Sequence, residues 1–265
     1  MPQHPHHRYR PPFTPMSYNG VDFYIRPFQR RDSEQVRNLF KLCIGYERGS
    51  PRWYALRGSP KRLNSIICYI IFAMGLLAAS PAGPAELCYR IAGITAAVLS
   101  AGFFLFHRWQ LSEAFLHYSN PASHADLSDI AGHYGVVENP DGTSYFTGKS
   151  GFWVAERLVD GKPNGELVGS VALDDRYRPD PHHAELRRMA VSSTMQRKGL
   201  GRHLVETVFQ HVQEHKLNTI SLQTTGYSTS AVGFYERFGW KLVAHQSLPG
   251  KPWLDFRLVE YRLDI

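Results

Sequence analysis

The sequence predicts an α/β domain interrupted by a hydrophobic helical hairpin. Three observations carry that reading. A strand-like stretch at residues 184–191 passes through a glycine-bearing turn, Gln196-Arg197-Lys198-Gly199-Leu200-Gly201, into a helix-like stretch. A second strand–helix pair opens the domain at residues 21–43. Between the two pairs lie uncharged runs at residues 63–80 and 91–106, separated by a break holding Pro81, Gly83 and Pro84.

Residues 1–20 are rich in Pro and His without apolar periodicity and read as a flexible tail. His4, His6 and His7 belong to that solvated tail rather than to a metal site. No early apolar run follows the basic residues, so no cleavable signal peptide is expected. Residues 21–28 form the first strand. Asp32 is expected to cap the next helix with Gln35 reaching back, and Val36, Leu39, Phe40 and Cys43 form its buried stripe. The chain divides into the tail at 1–20, a first strand and helix at 21–62, the hairpin at 63–106 and the main domain at 107–265.

Each uncharged run is near the lower limit for crossing a hydrocarbon core of about 30 Å, which takes about 20 helical residues. Two soluble core helices are the alternative to a membrane hairpin, spanning or re-entrant. The flanks favour the membrane. Arg48, Arg52, Arg57, Lys61 and Arg62 precede the hairpin and His107 and Arg108 follow it, whereas the turn has only Glu86 and Arg90. Basic flanks stay cytoplasmic, which turns both ends and the main domain toward the cytosol. Trp53, Tyr54 and Trp109 stand where interfacial anchors would, and the basic cluster suits anionic lipid headgroups.

The 265 residues suffice for one good core, and the net charge of +7 has this membrane explanation. No nucleic-acid motif accompanies it. Cys43, Cys68 and Cys88 lack metal-ligand or redox spacing, so no disulfide framework is expected.

The turn at 196–201 is an anion cradle. Unpaired amides at a helix start and the positive end of the helix dipole favour a phosphate or pyrophosphate. Gly199 and Gly201 permit close backbone approach, and Arg197 and Lys198 add charge. The helix behind it presents Leu200, Leu204, Val205, Val208, Phe209 and Val212 on one face. The spacing fits neither the nucleotide P-loop nor the three-glycine dinucleotide fingerprint.

It does match Gln/Arg-x-x-Gly-x-Gly/Ala, and here the chain resembles the GNAT superfamily of acetyl-CoA-dependent N-acetyltransferases. Val191 stands five residues before Gln196, residues 219–224 alternate as a strand, and Ala231 to Trp240 is similar to the family's Ala-x-x-Leu-Tyr-x-x-x-Gly-Phe block. The inserted hairpin, Asp126-Leu127-Ser128-Asp129-Ile130, Phe152-Trp153-Val154-Ala155-Glu156 and Ala184-Glu185-Leu186-x-Arg188-Met189 resemble the camello-type, N-acetyltransferase 8-like membrane-bound branch. The resemblance runs from about Val21 to about Gln246; the strand expected at 253–263 carries little of it.

The resemblance implies a GNAT fold with a splayed central sheet and acetyl-CoA as co-substrate, with no metal. Gln196, Arg197, Lys198, Gly199, Leu200, Gly201 and Arg202 would hold the diphosphate, and Met189, Ala190 and Val191 the acetyl and pantetheine portion. Ser228 stands where the family often has Asn; with Thr224 and Thr225 it would bond the pantetheine arm. Tyr235 would protonate the departing thiolate or position the thioester.

Glu185, six residues before Val191, is the candidate base; an exposed glutamate paired with Arg187 or Arg188 is the alternative. On a regular strand it shares a face with Arg187, Met189 and Val191. A lysine-like amine must be deprotonated at a cost of about 4–5 kcal/mol at pH 7, an α-amino group at only about 1–2 kcal/mol. The charged segment 174–183 reads as a solvated loop beside the acceptor cleft, and its adjacent His182 and His183 are not taken as a metal site. The implied reaction is direct acetyl transfer to an amino acid, a cysteine S-conjugate or a protein lysine. It takes place at an intracellular membrane, by resemblance the endoplasmic reticulum. A longer acyl-CoA or a non-catalytic scaffold are the alternatives, and nothing in the sequence fixes an oligomeric state.

Overall fold

The computed structural model describes residues 16–18, 21–81, 83, 86–176, 180–247 and 257–265. β1 (Met16–Tyr18), β2 (Val21–Pro27) and α1 (Ser33–Lys41) come first. α2 (Pro51–Gly58) leads into α3 (Leu63–Ala79) and α4 (Leu87–Ser119). Two single-turn helices, α5 (Ala125–Ser128) and α6 (Ile130–His133), and a ribbon of β3 (Val136–Glu138) and β4 (Ser144–Phe146) follow. β5 (Gly151–Val159), β6 (Lys162–Asp174), β7 (His183–Val191), α7 (Leu200–Glu214) and β8 (Thr219–Thr225) form the centre. The chain ends with α8 (Thr229–Arg237), β9 (Lys241–Ser247) and β10 (Arg257–Asp264).

Eight strands make one sheet in the order β1-β2-β5-β6-β7-β8-β10-β9. The β7–β8 pair is parallel, because α7 carries the chain back across the sheet between them. On one face α7 buries Leu200, Leu204, Val205, Val208 and Val212 against Trp153, Ala155, Val171 and Leu186. On the other, Val36, Phe40, Leu127, Ile130 and Tyr134 cover Phe152, Val154 and Ala172.

Several local readings change in three dimensions. The segment before Val21 supplies β1, which pairs Met16 with Phe23; His4, His6 and His7 lie outside the described residues. Asp32 does not cap α1. Its carboxylate accepts from Arg26 at 2.6 and 2.9 Å and from the Gln29 amide at 2.8 Å, and Arg26 also reaches Glu156 at 3.1 Å. Gln35 bridges to β6 instead, donating to the Gly165 carbonyl and accepting from the Leu167 amide. Asp174 is not a loop residue. It ends β6 fully buried, held by His133 at 2.8 Å and Arg187 at 2.9 Å; residues 177–179 lie outside the described part. The last strand starts at Arg257, and residues 253–256 also lie outside it.

α3 and α4 form the hairpin, and α4 runs on past Phe106 to Ser119 without a break. Small residues let the helices touch. A Cβ on Gly75 would stand 2.5 Å from the Gly93 carbonyl oxygen, and one on Gly93 would stand 2.6 Å from that of Gly75. The opposite sides expose Ile70, Met74 and Leu77 on α3 and Ile94, Val98, Leu99 and Leu105 on α4. Among the described residues α4 alone is long and apolar enough to cross a membrane, with a mean hydropathy of 1.6 in its most apolar window. α3 reaches that length only together with the bent segment before it.

Candidate acetyl-transfer site

The site lies where β7 and β8 part. They pair from His183 with Thr219 to Leu186 with Leu222 and diverge beyond, so residues 187–191 of β7 line a cleft. A β-bulge sharpens that divergence. The β6 register slips between Ser170 and Ala172, and Arg188 adopts φ 51°. The bulge corrects the expectation that Glu185, Arg187, Met189 and Val191 share a face. Met189 and Val191 pack with Ala184 and Leu186 on the α7 side. Glu185 and Arg187 alternate with those two buried residues, and Arg187 reaches Asp174.

Buried polar contacts hold the bulge. Arg188 donates to both oxygens of Asp126 at 2.7 and 2.6 Å and lies over the Phe40 ring, while its carbonyl accepts from Ser170. Tyr134 donates to the same carboxylate at 2.8 Å. Burial alone would raise the Asp126 carboxyl, but the bonds and charge of Arg188, with the Tyr134 phenol, bring it down to about 2. Asp126 and Arg188, which fall in separate sequence blocks, are thus one clamp on the cleft strand.

The glycine loop closes one end. Gly199 precedes α7 at φ 76° and Arg197 is left-handed at φ 62°. Within the loop the amides of Met195, Gln196 and Lys198 bond to Ser192 and Met195 carbonyls, and those of Arg202 and His203 bond to Gly199. Among the described residues no protein acceptor meets the amides of Arg197, Gly199, Leu200 or Gly201. This leaves a concave set of donors of the kind that binds diphosphate. The Gln196 side chain donates to the Val191 carbonyl at 3.3 Å, tying loop to strand. Arg202 turns its guanidinium to Glu206 at 2.7 Å.

Tyr235 comes from α8 into the same place. Its hydroxyl lies 3.3 Å from the Met189 sulfur, a weak acceptor, and burial holds the phenol well above its ordinary pKa. A Cβ on Gly201 would lie 3.3 Å from the Met189 methyl. Met189, Val191, Gln196, Gly201 and Tyr235 therefore converge, with Ala190 between them on the strand. Ser228 stands before α8, bonded to Thr225 at 3.0 Å on the other arm. Glu185 is four residues back from Met189, roughly 13 Å along a strand.

Two residues at the cleft were not singled out as part of it. The Cys43 thiol donates to the Val191 carbonyl at 3.4 Å, and Glu47 accepts from the Ser193 amide at 3.2 Å. Burial, then the Glu47 charge, push the Cys43 thiol up to about 12. Only the three-dimensional closure of the turn after α1, Leu42–Tyr46, on the loop reveals them.

At the hairpin base, Arg52 bonds Ser112 and the Gly45 carbonyl, Arg108 bonds Ser59 and the Leu56 carbonyl, and Arg62 covers the Tyr227 ring. Arg48, Arg57 and Lys61, with Trp53 and Tyr54, line an open recess of about 480 Å³.

The profile of the Acetyltransferase (GNAT) family matches residues 106–240. The chain is 28% identical over 254 residues to the N-acetylaspartate synthetase of Danio rerio, across 91% of this chain and 78% of that one. It is 26% identical over 246 residues to N-acetyltransferase 8 of Rattus norvegicus, across 91% and 96%. A solved GNAT-family acetyltransferase of Staphylococcus aureus aligns with 91% of this chain and 98% of its own at TM-score 0.47 and 16% identity. The chain belongs to the GNAT acetyltransferase family, in its camello-like, N-acetyltransferase 8 branch. It is an acyl-CoA-dependent N-acetyltransferase.

Proposed function

We propose that the protein is a membrane-tethered enzyme that moves acetyl from acetyl-CoA to an amine by direct attack in a ternary complex. The observation that carries this reading is the parting of β7 and β8 beside a loop in which four amides meet no protein acceptor among the described residues. Arg197 to Gly201 hold the diphosphate, Ser228 and Thr225 bond the pantetheine arm, and the backbone of Met189 to Val191 orients the thioester. A β7 amide stabilises the charge that develops on the thioester oxygen. Tyr235, kept protonated by burial, protonates the departing thiolate.

Glu185 acts as base through water, given its distance from Met189. The thiol at the cleft, Cys43, is held neutral and bonded to a carbonyl, which disfavours a covalent acetyl-enzyme. The acceptor we favour is an α-amino group, as in an amino acid or a cysteine S-conjugate, because it needs the weaker base. The name of the Danio rerio relative points the same way. The hairpin holds the enzyme in an intracellular membrane, the endoplasmic reticulum by family resemblance, with the domain facing the cytosol. The recess of Arg48, Arg57 and Lys61 lies against anionic headgroups.

Labelled acetyl-CoA offered with aspartate, S-conjugated cysteine, a polyamine and a lysine peptide tests the reading. Transfer to an α-amino acceptor, lowered about 10²-fold in kcat by Tyr235→Phe with little change in the KM for acetyl-CoA, is expected. Turnover unaffected by both Tyr235→Phe and Glu185→Gln would remove these residues from the chemistry.

A further inference from the structure

The far end of α7 gathers three metal-ligating side chains. His211, Glu214 and His215 lie at i, i+3 and i+4 on one helix face, and one ligand atom from each falls within 4.8 Å of the others. The hydrogen bonds fix which ring nitrogens are available. His211 Nε2 faces the Lys149 carbonyl at 3.0 Å, and His215 Nδ1 faces the His211 carbonyl at 2.9 Å. A carbonyl only accepts, so both nitrogens carry the hydrogen. The lone pairs then reside on His211 Nδ1 and His215 Nε2. Metal-bound imidazoles are oriented in this way, by the other N–H donating to a carbonyl.

The surroundings are preorganised. The two rings lie 4.0 Å apart between centroids, and Trp153 and Phe146 meet His211 edge-on at 5.0 and 5.6 Å. The Leu217 amide closes on Val212 and Lys216 turns left-handed at φ 52°, which fixes the last turn of the helix.

We propose that His211, Glu214 and His215 bind one divalent first-row metal ion, Zn2+ by the chemistry of two imidazoles and a carboxylate, with water completing the shell. The site is roughly 16–24 Å from the glycine loop at 1.5 Å per residue. It is therefore separate from acetyl transfer and pins the helix end to the 149 carbonyl.

The test is a Co2+ titration followed by d–d absorption, on full-length protein in detergent. His4, His6 and His7 are replaced by Ala so that the tail does not compete. A single tetrahedral site is expected, displaced by Zn2+. His215→Ala should weaken it by more than about tenfold, and Glu214→Gln, on an exposed carboxylate and harmless to folding, should weaken it less. Circular dichroism verifies that both variants are folded. No saturable absorption in the tail variant, or affinity unchanged in both site variants, would overturn the assignment.

Discussion

The hairpin and the sheet domain are both rich in large apolar side chains, and they place them in opposite ways. In α7 Leu200, Leu204, Val205, Val208 and Val212 are fully buried, while on α4 Leu99 is 67% and Val98 65% exposed. The hairpin buries glycines and small residues instead, Gly75 and Gly93 among them. Water drives large apolar groups inward, whereas in hydrocarbon a close backbone fit is what holds two helices together. Polar clamps do in the domain what backbone contact does in the hairpin, a difference that suits the hairpin to the membrane proposed for it.

The largest expected effect lies in a clamp. Asp126→Ala leaves Arg188 buried without its carboxylate and should cost about 3–5 kcal/mol in chemical denaturation of the sheet domain. Next, Leu204→Ala should destabilise the domain by about 2–5 kcal/mol, whereas Leu99→Ala in detergent should cost under about 0.5 kcal/mol. Equal losses would erase the contrast.

Acid should act on the domain. The Asp126 carboxyl titrates lower folded than unfolded, so its contribution is complete above about pH 4 and disappears toward about pH 2. About 2–3 kcal/mol of that loss should be absent from Asp126→Asn, measured by denaturant midpoints across pH. Within the hairpin, Gly75→Val should push α3 off the Gly93 carbonyl at about 1–3 kcal/mol, seen as weaker protection of hairpin amides from exchange, with acetyl transfer kept.

Much of this arrangement was legible in the chain, for identifiable reasons. The glycine turn and the apolar face of α7 are local signals, and the helix begins where they place it, at Leu200. The uncharged runs announced the hairpin, but the continuation of α4 to Ser119 was hidden because composition changes at residue 107 while the backbone does not. Asp32 stands where a cap would, but its carboxylate is taken by Arg26, which also reaches Glu156, a residue 124 positions beyond Asp32 that no local pattern connects to it. The bulge at Arg188 leaves only a faint trace, two adjacent arginines followed by three apolar residues, which break the apolar–polar alternation without saying which way the strand bends. The cluster at His211 repeats at helical spacing, yet the carbonyl that orients His211 comes from Lys149, well before it in sequence.

The account rests on the amides around Gly199 holding the diphosphate of the acyl donor. Isothermal calorimetry of the full chain in detergent with acetyl-CoA tests that most directly. A single-site heat is expected, weakened by Gly199→Val, which forces a branched side chain to φ 76°, in protein that still shows its native circular dichroism. Folded protein that takes up no acetyl-CoA, or that binds it equally well after the change at Gly199, would contradict it.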